Sequence, residues 1–308
     1  MIEIRQILCP IDFSDFSRRA CDHALAIATW YGSTITLFHV RAPVPVTTYA
    51  PGAAALPPAF LAPQDRDELL AAMKRFADTE GGSTVPVEFE VAEGNVAGEI
   101  VARAHALPAD LVVIGTHGRS GFERLVLGSV AERVLRKAEC PVLSVPRDVG
   151  DVVPAPPVLF TRILCAVDFS DSSMHALNYA MSLAQEADAQ LTVLHVMDVP
   201  PSVSLSLHET MLDVPHTLNE YIASAEEDRR ARLKEAIPDT VGAYCTVDTR
   251  LATGKPYREI LRVASEVQSE LIVMGIHGRG AADLLFFGST AQHVVRQASC
   301  PVLTLRKG

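Results

Sequence analysis

A glycine-rich stretch occurs twice in this chain, each time between a short apolar run and an amphipathic one, and that repetition leaves few folds open. The first copy runs Gly115-Thr116-His117-Gly118-Arg119 and closes on Gly128-Ser129. The second runs Gly275-Ile276-His277-Gly278-Arg279 and closes on Gly288-Ser289. In both, two residues separate the first glycines and nine separate the second glycine from the closing Gly-Ser. The preceding runs, Leu111–Ile114 and Leu271–Met274, are short enough for buried strands, and helical periodicity follows from Ser129 and Ser289. A glycine-rich turn from strand into helix is a place where backbone N–H groups can converge on an anion. One such loop is a weak signal, but two in matched contexts make a repeat.

The repeat extends through most of the chain. Apolar strands end on an acid at Asp12 and again at Asp168, 156 positions later. An amphipathic helix follows each, over 17–28 and about 172–185, and then a strand over 34–40 or 190–196. The pattern loosens in the Pro-rich stretches 41–63 and 198–215, which read as lids, binding loops or mobile segments. Helices resume over about 65–79 and 217–236. Third strands follow over 86–91 and 244–251, then glycine turns at Gly94 and Gly254 and helices over about 97–106 and 256–267. Each half closes on Cys-Pro-Val-Leu, from Cys140 and from Cys300. Gly115 and Gly275 are 160 positions apart, so the second copy carries a small net insertion before its third helix. The order βαβαβαβαβ, twice, predicts two parallel five-stranded sheets with helices on both faces. The acidic, Pro-rich stretch from Arg147 to Pro157 reads as the connection, giving domains 1–147 and 159–308 around a linker 148–158.

Composition narrows the partners. The formal charge of −10 argues against a nucleic-acid or anionic-membrane binder, which needs a basic face. No cationic start with a long apolar stretch behind it predicts secretion, and no apolar run approaches the roughly 20 residues of a membrane span. The six cysteines form no CxxC pair, and four of them are repeat-related in or beside apolar strands. They read as small buried hydrophobes in a reducing cytoplasm.

An open parallel sheet binds ligands beyond the carboxyl ends of its strands, where strand order reverses. If the first and fourth strands are neighbours, Asp12 and Gly115 face one crevice, as do Asp168 and Gly275. Glycine at 115 and 118 leaves room for a ligand against the backbone. N–H groups around Gly128, Ser129 and Val130 open a helix whose positive end favours an anion, and Arg119 adds charge at the rim. An acid suits a sugar hydroxyl better than a phosphate. Each feature has a plainer reading beside it. The glycines can shape tight turns, Asp12 and Asp168 can cap the first helix, and Ser129 and Ser289 can be simple N-caps. His117 and His277 can bond the loop backbone, His39 and His195 read as structural, and Arg119 and Arg279 can be solvated. The copies also differ: Ala281, Ala282 and Leu284 stand where the first has Gly121, Phe122 and Arg124. Loss of a glycine and a positive charge predicts unequal sites, with the first favoured.

The G-x-x-G, nine-residue, Gly-Ser pattern, with a first strand ending in Asp and a closing Cys-Pro-Val-Leu strand, resembles the universal stress protein family. The resemblance covers nearly all of both halves and implies two tandem Rossmann-like (adenine nucleotide alpha hydrolase-like) domains. In ATP-binding members, it places ribose at Asp12 and Asp168 and adenine near the backbone of Val40 and Val196. It places phosphates at Gly118, Gly128, Ser129 and Val130, and at Gly278, Gly288, Ser289 and Thr290. The expected ligand is ATP, or the related ADP or AMP, with magnesium as its companion. The resemblance also implies a pseudo-dimer of the two repeats through their last strands, with a homodimer as a further level of association. No activated nucleophile, base–orienter pair, metal cluster or P-loop lysine signature is visible, so a binding or signalling module is expected, with no catalytic residue. A slow ATP hydrolase and a ligand-free interaction module are the alternatives.

Overall fold

Strands buried on both faces read as unbroken apolar runs, and four residues of this kind suffice to cross the middle of a small parallel sheet. That is how this chain is built. A computed structural model describes residues 2–42, 63–77, 85–116, 127–146, 160–198, 216–278 and 287–306. The chain divides into two compact units, one comprising Glu3–Pro157 and the other Val158–Gly308 with Met1–Ile2. The Pro-rich stretches between 43 and 62 and between 199 and 215, and the linker, lie outside the described residues.

The first unit runs β1 (Gln6–Pro10), α1 (Asp15–Tyr31), β2 (Thr34–Arg41), α2 (Pro63–Ala77), β3 (Val87–Glu93), α3 (Val96–Ala106), β4 (Leu111–Gly115), α4 (Ser129–Lys137) and β5 (Val142–Val145). The second runs β6 (Arg162–Ala166), α5 (Asp171–Ala187), β7 (Gln190–Met197), α6 (His216–Glu235), a 3₁₀ turn at Val241–Ala243, β8 (Thr246–Thr253), α7 (Pro256–Glu266), β9 (Leu271–Gly275), α8 (Ser289–Gln297) and β10 (Val302–Leu305). Within the first unit the strand order is β3-β2-β1-β4-β5, and within the second β8-β7-β6-β9-β10, with every pairing parallel. Ile7 stands beside both Ile35 and Leu111, and Ile163 beside both Leu191 and Leu271. The core lies at these central strands: Ile7, Leu8, Ile35, Leu37, Ile163 and Leu164 are all fully buried. Each such side chain contributes about 1.5–3 kcal/mol on leaving water.

The helices start and stop for local reasons. Ser14 Oγ accepts from Ser17 N at 3.2 Å and Ser170 Oγ from Ser173 N at 3.3 Å, capping α1 and α5. Asn95 Oδ1 accepts from Gly98 N at 3.0 Å and caps α3. The left-handed residue ending α1 is Gly32, with φ +67°, and the one ending α5 is Asp188, with φ +48°. The third strands run two residues beyond the expected Val91 and Leu251. Their ladders persist into the turn, where Gly94 N donates to Arg41 O at 3.1 Å and Gly254 N to Met197 O at 2.9 Å. β8 also starts later than expected, because Tyr244 is still part of the 3₁₀ turn, its N–H donating to Val241 O at 3.1 Å. Among the described residues, no helix is long and apolar enough to cross a membrane.

A Cβ at Gly32 meets nothing within 4 Å, so backbone conformation alone decides the effect of substitution there. Gly32→Ala is expected to cost about 1 kcal/mol, and Gly32→Asn less, because a short amide tolerates the left-handed region. The shift of the urea unfolding midpoint checks both.

Candidate functional site

In the first unit the chain leaves β1 toward β2 and β3, then crosses back to β4 on the other side. The carboxyl ends of β1 and β4 therefore open on one crevice, and those of β6 and β9 do the same in the second unit. A cavity of about 280 Å³ fills the first, bordered by Asp12, Val40, Gly115, Gly128, Ser129 and Val130. A cavity of about 450 Å³ fills the second, bordered by Asp168, Val196, Gly275, Gly288, Ser289 and Thr290. His277 and Gly278 border the second cavity too. His117, Gly118, Arg119 and Arg279 lie outside the described residues, as do the paired differences at 121–124 and 281–284.

Each acid is set by a short turn. Asp12 Oδ1 accepts from Ser14 N at 3.0 Å and from Ser14 Oγ at 2.5 Å, and Asp168 Oδ1 makes the same pair of bonds to Ser170. Acid and cap thus form one device: the aspartate holds the serine, and the serine caps the helix. Between them, Phe13 and Phe169 adopt left-handed backbone with φ of +63° and +61°. For a residue with a bulky side chain this costs on the order of 1–2 kcal/mol. The rings are held in return. Phe13 packs on His39 at 4.9 Å between centroids, and Phe169 on His195 at 4.7 Å. The Arg232 guanidinium covers Phe169 at 4.3 Å. The histidines are fixed by their Nδ1, which donates to Ile11 O at 2.8 Å and to Val167 O at 2.7 Å. Since a carbonyl only accepts, the proton sits on Nδ1 in both. His39 and His195 therefore tie the end of β2 or β7 to the residue just before each acid.

The glycines serve packing as much as access. A Cβ on Gly115 would stand 3.0 Å from Phe16 O, and one on Gly275 would stand 2.7 Å from Ser172 Oγ. The first turn of α1 or α5 thus lies directly on the end of the fourth strand. Gly278 approaches the acid itself, its notional Cβ falling 2.8 Å from Asp168 Oδ2. Gly128 N donates to Thr116 O at 2.8 Å and Gly288 N to Ile276 O at 3.0 Å, pinning strand exit to helix entry.

Gly128 and Gly288, and not the neighbouring serines, occupy the N-cap positions of α4 and α8, with no side-chain cap hydrogen bond. Ser129 and Ser289 are the first helical residues, so the capping role considered for them passes to a residue that has no side chain to accept with. Side-chain acceptors serve the first turns of α1, α3 and α5, whereas those of α4 and α8 point into the cavities with none. Opposite them stand apolar walls that sequence reasoning missed: Phe38, Val96 and Ile100 in the first unit, Leu194, Pro256 and Ile260 in the second. Val96 and Ile100 are spaced by four at a helix start, a signal that reads as ordinary core.

Four thiols are held in their neutral form. Burial raises Cys140 to about 11 and Cys300 to about 12, and pushes Cys165 up further still. Cys9 is raised by its hydrogen bond with Cys21 and then by burial. None is poised as a nucleophile near neutral pH.

His195→Ala is expected to destabilise the second unit by about 2–3 kcal/mol, from the lost hydrogen bond and ring contact and the strained Phe169 left unsupported. Urea unfolding followed by circular dichroism checks this. A midpoint equal to the wild type would show that the histidine does not hold the turn.

The architecture has counterparts among known proteins. A curated universal stress protein of Mycolicibacterium smegmatis is 29% identical over 305 residues, covering 97% of this chain and 96% of its own. Universal stress protein MJ0531 of Methanocaldococcus jannaschii is 39% identical over 142 residues, covering 46% of this chain and 81% of its own. The crystal structure of a universal stress protein from Archaeoglobus fulgidus covers 100% of both chains with a TM-score of 0.64 at 21% identity, which bears on the fold. The model of the universal stress protein family matches residues 3–146 and again residues 159–306, so the chain belongs to that family and carries its domain twice in tandem.

Proposed function

We propose that each half binds an adenine nucleotide, ATP or its relatives ADP and AMP, and that the protein acts in stress response as a nucleotide-dependent signalling module. One observation carries this reading: each cavity brings together an acid, an apolar wall and a helix N-terminus without a side-chain cap. Those three surfaces suit a sugar, a flat apolar base and a phosphate chain respectively. The volumes, about 280 and 450 Å³, are at the scale of small-ligand sites, about 300–1,000 Å³.

In this reading Asp12 and Asp168 accept from ribose hydroxyls, and the backbone at Val40 and Val196 meets the edge of adenine. The phosphates lie on Gly128, Ser129 and Val130 in the first half and on Gly278, Gly288, Ser289 and Thr290 in the second. Gly118 and the loop residues His117, Arg119 and Arg279 belong to the same assignment. Among the described residues no group of three or more His, Cys, Asp or Glu side chains converges to hold a metal. Magnesium would arrive on the phosphates. The six free cysteines fit a reducing cytoplasm, where we place the protein.

The test is direct. Freshly purified protein is denatured and the released small molecules identified by chromatography and mass spectrometry, and the melting temperature is followed with added ATP and magnesium. Adenine nucleotide in the extract, or a rise in melting temperature, is the expected result, and neither would sink the reading. Asp168→Asn retains a carbonyl for the Ser170 turn but loses the charge facing ribose. It is expected to weaken binding in the second half about tenfold, since a hydrogen bond to a charged group contributes about 1.5–3 kcal/mol. Steady release of phosphate would add hydrolysis to binding.

A further inference from the structure

The two cavities are not one site copied twice. Ser172, the second residue of α5 and 5% exposed, donates its hydroxyl to the backbone oxygen of His277 at 2.5 Å. Ser170 Oγ reaches the same oxygen at 3.4 Å. The residue at the matching place in α1 is Phe16, whose side chain has no donor. His277 precedes Gly278, the residue that stands against Asp168 Oδ2. Ser172 therefore ties the backbone leaving β9 to the helix whose cap orders the acid, and both sides of the crevice become one rigid piece. Chain ordered before a ligand arrives does not lose that freedom on binding.

Two further differences lie on other elements. Thr290, the second residue of α8, lines the second cavity where Val130 lines the first, placing a hydroxyl beside a helix N-terminus without a side-chain cap. Leu194 takes the place of Phe38 in the apolar wall, and the second cavity is the larger, about 450 against 280 Å³. The serine tie and the added hydroxyl both favour the second cavity, opposite to the order expected from the differences at 121–124 and 281–284.

We propose that the second half holds the tighter of two unequal nucleotide sites, with Ser172 as its positioning residue and Thr290 as an added phosphate donor. This rests on the nucleotide reading above. Ser172 acts through the backbone of His277 and does not touch the ligand.

Calorimetric titration of the full chain with ATP and magnesium tests the proposal, using wild type, Ser172→Ala and Thr290→Val. Wild type is expected to show two steps about tenfold apart in affinity. Each substitution is expected to weaken the tighter step by about three- to tenfold, the effect of one neutral hydrogen bond, and to leave the weaker step unchanged. The melting temperature of nucleotide-free Ser172→Ala is measured alongside. A lowered melting temperature with both binding steps intact would reduce Ser172 to a structural role and overturn its assignment. Two indistinguishable steps in wild type, or a tighter step untouched by both variants, would overturn the proposal while leaving nucleotide binding standing. No binding by wild type would overturn the nucleotide reading itself.

Discussion

Everything at the two crevices depends on how closely the first helix of each unit can approach the end of the fourth strand. A Cβ would stand 3.0 Å from Phe16 O at position 115 and 2.7 Å from Ser172 Oγ at position 275, so a side chain is crowded at the first and requires the helix to shift at the second. That contact sets the helix start, the helix start sets the serine cap, and the cap sets the acid. A side chain at either glycine would move the first helix outward and carry the aspartate with it. The site is therefore built from the packing of the central sheet outward.

The division of labour among helix ends follows from the same economy of backbone. α1, α3 and α5 begin at a serine or asparagine whose side chain satisfies an N–H locally. α4 and α8 begin behind glycines, whose N–H groups tie back to the strand exit while no side chain screens the turn that follows. An uncapped turn in a crevice retains its partial positive charge for whatever enters.

Much of this was legible in the sequence, for a physical reason. Strands such as Leu111–Gly115 and Leu271–Gly275 are buried on both faces and must be apolar throughout, so they announce themselves. The doubled glycine pattern located the crevices, and the strand-ending acids fell at their borders. What could not be read was contact across the chain. Val96 and Ile100 carry the spacing of any amphipathic helix, and nothing local says that this face looks into a cavity. The left-handed Phe13 and Phe169 were equally hidden, since an aromatic residue is the wrong residue type for that conformation and only its packing explains it. The cap moved by one residue, from serine to glycine, because cap geometry depends on where the preceding loop is pinned.

The strained turn at Phe13 and Phe169 has a consequence for association. Its unfavourable backbone is held by ring contacts and histidine hydrogen bonds that lie wholly inside each unit. The carboxylate next to it is accordingly immobilised during folding, by interactions that owe nothing to any guest. A molecule entering the crevice meets an acid whose rotational entropy has already been lost, and only its own freedom remains to be surrendered.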